Sequence, residues 1–141
     1  MTTDHLLDTN VVSETAKAQP DAKVLGWLET QSPLVLSSLS VYELARGVER
    51  TTGRKRLFLE GWLASLLGSN ARILPFDETA ARLAATIEQD ARRRGHPIPE
   101  RDLFILATAR ACGLRLATRN LQDFRGHGVA LYNPFDDQHV P

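Results

Sequence analysis

Short apolar runs alternate along the chain with stretches of helical periodicity. The apolar runs predict five short strands, at residues 5–7, 34–37, 72–74, 114–118 and 129–131. Between them, apolar residues recur at intervals of three and four, as in residues 41–48, which is typical of amphipathic helices. Strands that alternate with helices in this way predict βαβ units and a parallel sheet.

The helix starts are marked by capping residues and by proline. Helices are predicted to begin close to Asp8, Asp21, Ser40, Leu57, Asp77 and Glu100. Pro97 and Pro99 end the alanine-rich helix that follows Asp77, because proline cannot continue a helix. No internal repeat or linker divides the chain, so one domain is expected over residues 1–141.

Acidic side chains stand at the carboxyl ends of several predicted strands. Asp8 follows the first strand directly, and Asp123 lies in the turn after the strand that ends at Thr118. Glu43 and Asp102 each lie in the first turn of a predicted helix. Ligands of parallel sheets bind beyond the carboxyl ends of the strands, so we expect these carboxylates to converge at one edge of the sheet.

Each of these acids also has a purely structural interpretation. Asp8 can cap the helix that follows it. Ser40 and Glu43 fit the S-x-x-E capping box, in which the glutamate bonds back to the serine backbone N–H. Asp102 is favoured in a first helical turn by the helix dipole. The pattern leaves both interpretations open for each residue.

The oxygen-rich turn after the fourth strand indicates which ion a metal site would take. Thr118, Asn120 and Asp123 offer a hydroxyl, an amide oxygen and a carboxylate, which suit Mg²⁺ or Mn²⁺ and which also serve commonly as turn residues. Zinc lacks ligands, because the four histidines have no H-x-x-x-H spacing and the single cysteine has no partner. Phosphate-binding glycine loops of the G-x-x-x-x-G-K-[ST] or G-x-G-x-x-G type are absent from the sequence.

Composition narrows the class of protein. The chain has 141 residues, 43% hydrophobic and 24% charged, which is ordinary for a globular domain and argues against intrinsic disorder. No apolar run approaches the ~20 residues that span a bilayer, and charge in the first dozen residues does not suit a signal peptide. We therefore expect a cytoplasmic protein with no membrane partner.

Charge is balanced overall but uneven along the chain. The 17 basic and 17 acidic residues cancel, which argues against a broadly basic nucleic-acid-binding surface. Residues 44–72 nevertheless hold six bases and two acids. Arg46 and Arg50 in this stretch, together with Arg119, are candidate contacts to the phosphates of a nucleic acid, and a solvated helix face is the alternative.

Taken together, the motifs resemble those of PIN-domain toxins of the VapC type, including the FitB-like branch. The resemblance spans nearly the whole chain in the expected order. It rests on the segments LLDTNVVSE at 6–14, SVYEL at 40–44 with Gly47, ILPFD at 73–77, DLFILATA at 102–109 and LATRN at 116–120 with Asp123 and Phe124.

The resemblance implies a PIN-like three-layer α/β/α fold around a central, mostly parallel sheet. It further implies a Mg²⁺-dependent endoribonuclease, with Mn²⁺ as a substitute, that is the toxin of a type II toxin–antitoxin pair. The implied partners are an antitoxin protein, an RNA substrate and a second copy of the chain. The implied roles are catalysis by Asp8, Glu43, Asp102 and Asp123, metal binding by Asp8 and Asp102, and support from Thr9, Asn10, Thr118 and Asn120.

Two questions stay open within this interpretation. Some relatives carry an acid at the position of Asn120, whereas others use the acid of the following D-F pair, here Asp123, so the number of metal ions is undecided. The alternatives to a ribonuclease are a DNA-directed nuclease, a phosphatase-like hydrolase and a non-catalytic regulator that binds nucleic acid. The phosphatase is disfavoured because Asp8-Thr9-Asn10 lacks a second aspartate.

Overall fold

The computed structural model describes residues 5–141. Residues 1–4 lie outside the described residues. They belong to the predicted domain and to the amino-terminal segment that is not expected to be a signal peptide. The strands are His5–Leu7 (β1), Val35–Ser37 (β2), Arg72–Leu74 (β3), Arg115–Ala117 (β4), Leu131–Asn133 (β5) and Gln138–Val140 (β6). The helices are Thr9–Val12 (α1, continued by a 3₁₀ turn over Ser13–Ala16), Ala22–Glu29 (α2), Ser38–Glu49 (α3), Gly53–Gly68 (α4), Glu78–Arg93 (α5), Glu100–Ala111 (α6) and Leu121–Phe124 (α7).

The six strands form one sheet in the order β3-β2-β1-β4-β5-β6. Strands β1 to β5 are parallel to their neighbours, and β6 runs antiparallel to β5. Leu7 of β1 pairs with Leu36 of β2 on one side and with Ala117 of β4 on the other. The predicted mostly parallel sheet is therefore confirmed.

Helices cover both faces of the sheet, because successive residues of each strand point to opposite sides. Leu6 and Leu116 pack into a core with α5 and α6, through residues such as Ile87 and Ile105. Their neighbours in the chain, Leu7 and Ala117, pack into a second core with the helices α1 to α4. The result is the predicted three-layer α/β/α arrangement. No helix within residues 5–141 is long and apolar enough to cross a membrane.

The carboxyl-terminal end of the sheet differs from the sequence prediction. The strand predicted over 129–131 lies instead at Leu131–Asn133, and Leu131 pairs with Leu116 of β4. Asn133 is buried, and its side-chain oxygen accepts a hydrogen bond from Phe135 N at 2.9 Å, so a polar residue occupies a core strand. Strand β6 was not predicted, because its residues Gln138 and His139 are polar and lie at the exposed edge.

The capping box predicted at Ser40 and Glu43 is wrong. Helix α3 begins two residues earlier, at Ser38, and its cap is Ser37, whose hydroxyl accepts a hydrogen bond from Leu39 N at 3.0 Å. Ser40 lies inside the helix and is buried. The Glu43 carboxylate is therefore free of the helix end and turns toward other elements.

The apolar residues of α3 and α4 divide into two groups. Val48 of α3 is buried, and Trp62 of α4 is half-buried and packs against the second core. Leu57 and Phe58 of α4 are 70% and 59% exposed.

Candidate functional site

The site lies at the carboxyl ends of β1 and β4, two adjacent strands from which the sheet extends in opposite directions. From β1 the next strands in the chain, β2 and β3, build the sheet to one side, whereas β4 and β5 build it to the other side. Such a switch point leaves a crevice at the carboxyl ends of the two central strands, here β1 and β4. Asp8 directly follows β1, and Thr118 directly follows β4.

Asp8 is fixed at this crevice by three hydrogen bonds. Its backbone N donates to Ala117 O at 2.9 Å, which continues the pairing of β1 with β4. Its Oδ1 accepts from Thr9 N at 2.7 Å, as expected for a helix cap, and its Oδ2 accepts from the Thr118 hydroxyl at 2.8 Å. Asp8 is only 3% exposed. It therefore caps α1 and also presents a buried carboxylate at the sheet edge.

The electrostatic surroundings of Asp8 disfavour its ionised form. Burial raises the pKa of Asp8 above the ordinary 3.8, while the hydrogen bonds from Thr118 and Thr9 lower it in part. The nearby charge of Asp102 raises the pKa further, and that of Arg101 lowers it. The two carboxylates are thus close enough to repel each other, and a cation between them would relieve this repulsion.

Glu43 reaches the same crevice from α3. The Thr9 hydroxyl donates to Glu43 Oε1 at 2.5 Å, and the same hydroxyl oxygen lies 2.9 Å from Ser40 Oγ. The Nη1 of Arg101 lies 2.8 Å from Glu43 Oε2, and the Glu43 side chain is only 6% exposed. The glutamate is therefore held by residues from both neighbouring elements, α1 and α6.

Asp102 completes a set of three acids. Helix α6 begins at Glu100, directly after Pro99, so Asp102 lies in the first turn as the sequence predicted. It is 5% exposed, and its Oδ1 lies 3.1 Å from Arg101 Nη2. Thr9 thus contacts both Asp8 and Glu43, and Arg101 contacts both Glu43 and Asp102. Asp8 and Asp102 lie close enough to repel each other.

The supporting residues tie the loops of the site together. Asn10 Oδ1 accepts a hydrogen bond from Arg119 N at 3.3 Å, which joins the loop after β1 to the loop after β4. Asn120 N donates to the Thr118 hydroxyl oxygen at 3.0 Å. The side chain of Asn120 makes no hydrogen bond as the cap of α7, and Asn120 is exposed.

Asp123 lies outside this hydrogen-bonded cluster. The residue is exposed on α7 and lines a cavity of about 490 Å³ together with Arg94, Arg125 and His127. Among residues 5–141, no group of three or more His, Cys, Asp or Glu side chains is placed to hold a metal ion by itself. The protein ligands of an ion at this site would therefore be few, with water completing the coordination.

The candidate RNA contacts lie beside the site. Arg46 follows Glu43 by one turn of α3, ~4.5 Å along the helix axis, and its guanidinium lies 5.3 Å from the centre of the Tyr42 ring. Arg50 lies one turn further on and caps the carboxyl end of the same helix. Arg119 follows β4 and stacks on Phe135 at 4.5 Å. All three arginines are exposed.

An apolar groove opens next to Glu43. It has a volume of about 340 Å³ and lies between α1, α3 and α4, where Leu44, Leu59 and Trp62 line it together with Thr9 and Glu43. This mainly apolar groove therefore borders the polar cluster at the sheet edge.

Sequence reasoning missed two residues of this cluster. Arg101, which the sequence pattern does not single out, bridges Glu43 and Asp102. Ser40, a candidate cap in the sequence, instead contacts Thr9. Arg101 stands next to Asp102 in the chain, but neighbours in a helix point in directions about 100° apart, so this adjacency did not predict that Arg101 contacts both Asp102 and Glu43.

Comparison with known proteins places the chain in a family. The PIN domain model matches residues 5–126. The chain is 39% identical over 138 residues to VapC ribonuclease Y4jK of Sinorhizobium fredii, covering 93% of this chain and 97% of that protein. It is 40% identical over 137 residues to toxin FitB of Neisseria gonorrhoeae, covering 94% and 99%.

The fold is also shared with solved structures. The FitAcB crystal structure from Neisseria gonorrhoeae superposes with a TM-score of 0.81 at 38% identity, over 92% of this chain and 97% of that chain. The ordered motifs, the sheet topology and these similarities agree. The chain belongs to the PIN-domain family, within the group that contains the VapC and FitB proteins.

Proposed function

We propose that this protein is a Mg²⁺-dependent endoribonuclease and the toxin of a toxin–antitoxin module. The observation that carries the proposal is the meeting of Asp8, Glu43 and Asp102, from three separate elements, at the carboxyl ends of β1 and β4. Acids of purely local structural value in three separate elements have no reason to meet at one point. The relative named VapC ribonuclease supports the choice of RNA as substrate.

The donor set fits Mg²⁺. This ion favours hard oxygen ligands and is usually held by one or two carboxylates while it keeps several waters. We assign Asp8 and Asp102 as the two protein ligands, since both are buried and their ionised carboxylates repel each other. Mn²⁺ accepts the same ligands and is expected to substitute.

Mg²⁺, when bound, supplies positive charge that acidifies water and neutralises charge on the phosphate. Glu43 shares Thr9 with Asp8 and Arg101 with Asp102, and we assign it to orient the attacking water. Thr9 keeps the Glu43 carboxylate turned toward the crevice. Thr118 keeps Asp8 turned the same way, and Arg46, Arg50 and Arg119 offer positive charge to the RNA backbone on either side.

The proposal extends to partners. A nuclease that cuts the RNA of its own cell has to be held inactive, so we propose an antitoxin protein as the cognate partner, and a homodimer as the form of the toxin. One relative carries the name toxin FitB. Leu57 and Phe58 expose a large apolar surface on α4 that suits a protein contact.

The test maps new RNA 5′ ends in cells after brief induction of the wild type, Asp8→Asn and Asp77→Asn. Asp77 is the matched control, because its carboxylate also caps a helix, α5, by accepting from Ala80 N at 3.0 Å, but it lies outside the site. We expect new ends with the wild type and with Asp77→Asn, and none with Asp8→Asn.

The same proteins, purified, are then incubated with RNA and with DNA in EDTA, Mg²⁺ or Mn²⁺. Cleavage of RNA that disappears in EDTA and returns with either ion supports the proposal. Cleavage of DNA alone would favour a DNA-directed nuclease. Nucleic-acid binding without any cleavage would favour a non-catalytic regulator, and both results would contradict the proposal.

A further inference from the structure

Arg101 binds two acidic side chains of the candidate site at once. Its Nη1 lies 2.8 Å from Glu43 Oε2 and its Nη2 lies 3.1 Å from Asp102 Oδ1. The two acids come from different helices, α3 and α6, and their side chains are 6% and 8% exposed. The Arg101 side chain itself is 53% exposed. A half-solvated arginine therefore places its charged end on two carboxylates that are almost fully out of water.

This arrangement differs from an ordinary ion pair on the protein surface. Arg56 also bridges two acids, Glu49 at 2.9 Å and Glu60 at 2.7 Å, but these side chains are 70% and 48% exposed. Exposed pairs of this kind contribute little, because water already solvates both charges. The two acids that Arg101 binds are almost fully out of water and lack that solvation. Within the described chain, their main positive neighbour is the Arg101 guanidinium.

Most carboxylate oxygens of the site have a polar partner. Asp8 Oδ1 and Oδ2 accept from Thr9 N and the Thr118 hydroxyl. Glu43 Oε1 accepts from the Thr9 hydroxyl. Arg101 lies on Glu43 Oε2 and Asp102 Oδ1, so a cation bound by Asp102 would lie beside the guanidinium. A guanidinium and a divalent cation at the same oxygens repel each other.

We propose that Arg101 is an internal counter-cation that pairs with Glu43 and competes with the divalent metal ion for Asp102. In the metal-free protein it compensates the buried negative charge. When the ion binds, Arg101 has to leave, and its exposed side allows it to swing into solvent without disturbing the core. Metal affinity is thereby set in part by a residue that is not a ligand. This inference rests on the metal site proposed above.

The test measures Mn²⁺ and Mg²⁺ binding to metal-stripped protein by titration calorimetry, without RNA. Arg101→Ala is expected to bind either ion about tenfold more tightly than the wild type, within the usual range for two coupled sites. Arg56→Ala is the matched control, since it loses two ion pairs elsewhere, and its affinity is expected to stay at the wild-type value. Thermal unfolding gives a second measurement: metal-free Arg101→Ala melts below the wild type, and added Mn²⁺ raises its melting temperature by more.

Two further variants keep the result decisive. Arg101→Gln retains a polar side chain with hydrogen-bond donors but is shorter and loses the charge, so it is expected to tighten metal binding as alanine does and replaces alanine if that variant fails to fold. Arg101→Lys retains the charge and is expected to stay closer to the wild type. Equal or weaker metal binding by the neutral variants, with the wild type binding normally, overturns the role of Arg101 and leaves the proposed function standing. Absence of metal binding in every variant, the wild type included, overturns both.

Discussion

Thr118 donates a hydrogen bond of 2.8 Å to Asp8 Oδ2, joining the ends of two neighbouring parallel strands whose residues are 110 positions apart in the chain. Both residues are buried, at 0% and 3% exposure. The Thr118 hydroxyl oxygen also accepts from Asn120 N at 3.0 Å. One side chain thus orients the carboxylate after β1 and the loop after β4.

Replacing Thr118 by valine is expected to weaken metal binding without unfolding the protein. Valine keeps the shape but cannot donate to Asp8, and residues that orient a metal ligand typically contribute about 10–100-fold to metal affinity. The loss of buried hydrogen bonds is expected to lower the free energy of unfolding by ~1–3 kcal/mol. Calorimetric titration with Mg²⁺ and chemical denaturation measure the two effects.

Thr108→Val is the control for this change. Thr108 is equally buried, but its hydroxyl donates to Phe104 O within helix α6 at 2.8 Å and does not touch the site. Its stability is expected to change little, since a hydroxyl that bonds back within a helix contributes weakly. If Thr118→Val and Thr108→Val bind Mg²⁺ equally well, Thr118 does not position Asp8 for metal binding.

Asp8→Asn is expected to make the metal-free protein more stable at neutral pH. The pKa of Asp8 in the folded protein lies above its ordinary value of 3.8, so its stabilising contribution is full below pH 3.8 and is lost as the pH rises through the folded-state pKa. Asparagine carries no charge and avoids this loss. We therefore expect the melting temperature of Asp8→Asn at pH 7 to lie above that of the wild type.

The measurement is thermal unfolding by circular dichroism from pH 4 to pH 8 in the presence of a chelator. The advantage of the asparagine variant should shrink as the pH approaches 4, where the wild-type carboxyl becomes protonated. A variant that is less stable than the wild type at pH 7, or equally stable at every pH, would show that burial does not disfavour the Asp8 charge.

Asp123→Asn is expected to reduce the rate of RNA cleavage by less than about a hundredfold. A residue that transfers a proton in the reaction typically contributes at least that much. The reason is its position, because Asp123 is exposed and lies outside the hydrogen-bonded cluster of the three buried acids. Glu43→Gln in the same cleavage assay is expected to lose more, since Glu43 is enclosed by Thr9 and Arg101. A larger loss for Asp123→Asn than for Glu43→Gln would identify Asp123 as the fourth acid of the site.

Arg46→Ala is expected to weaken RNA binding to a similar extent for all RNA sequences. It is also expected to reduce the slope of log affinity against log salt concentration by about one, which is the loss of a single phosphate contact. Arg46 lies one turn beyond Glu43 and is held over the Tyr42 ring at 5.3 Å. Binding is measured by fluorescence anisotropy in the Asp8→Asn background, in which we expect RNA not to be cut. Arg82→Ala serves as control, because Arg82 is paired with Glu78 on the exposed face of α5. An unchanged slope for Arg46→Ala would remove this residue from the RNA interface.

Much of the fold was predictable because the strands are apolar and the helices periodic. The parallel sheet and both helical layers follow from residues such as Leu6 and Leu7, whose neighbouring side chains supply opposite cores. The prediction failed where polar residues occupy strands, as at Asn133 of β5 and Gln138 of β6. There, backbone pairing with the next strand determines the structure, and no hydrophobic signal accompanies it.

The order of strands and helices along the chain is enough to predict the fold class and the acids that meet at one edge of the sheet, because strand polarity and short connections place Asp8, Glu43 and Asp102 on the same side. The bonds that these acids make depend on the folded structure. Thr118 contacts Asp8, and Arg101 contacts Glu43, across 110 and 58 positions of the chain, and hydrogen bonds between such distant residues depend on side-chain directions that local patterns do not encode.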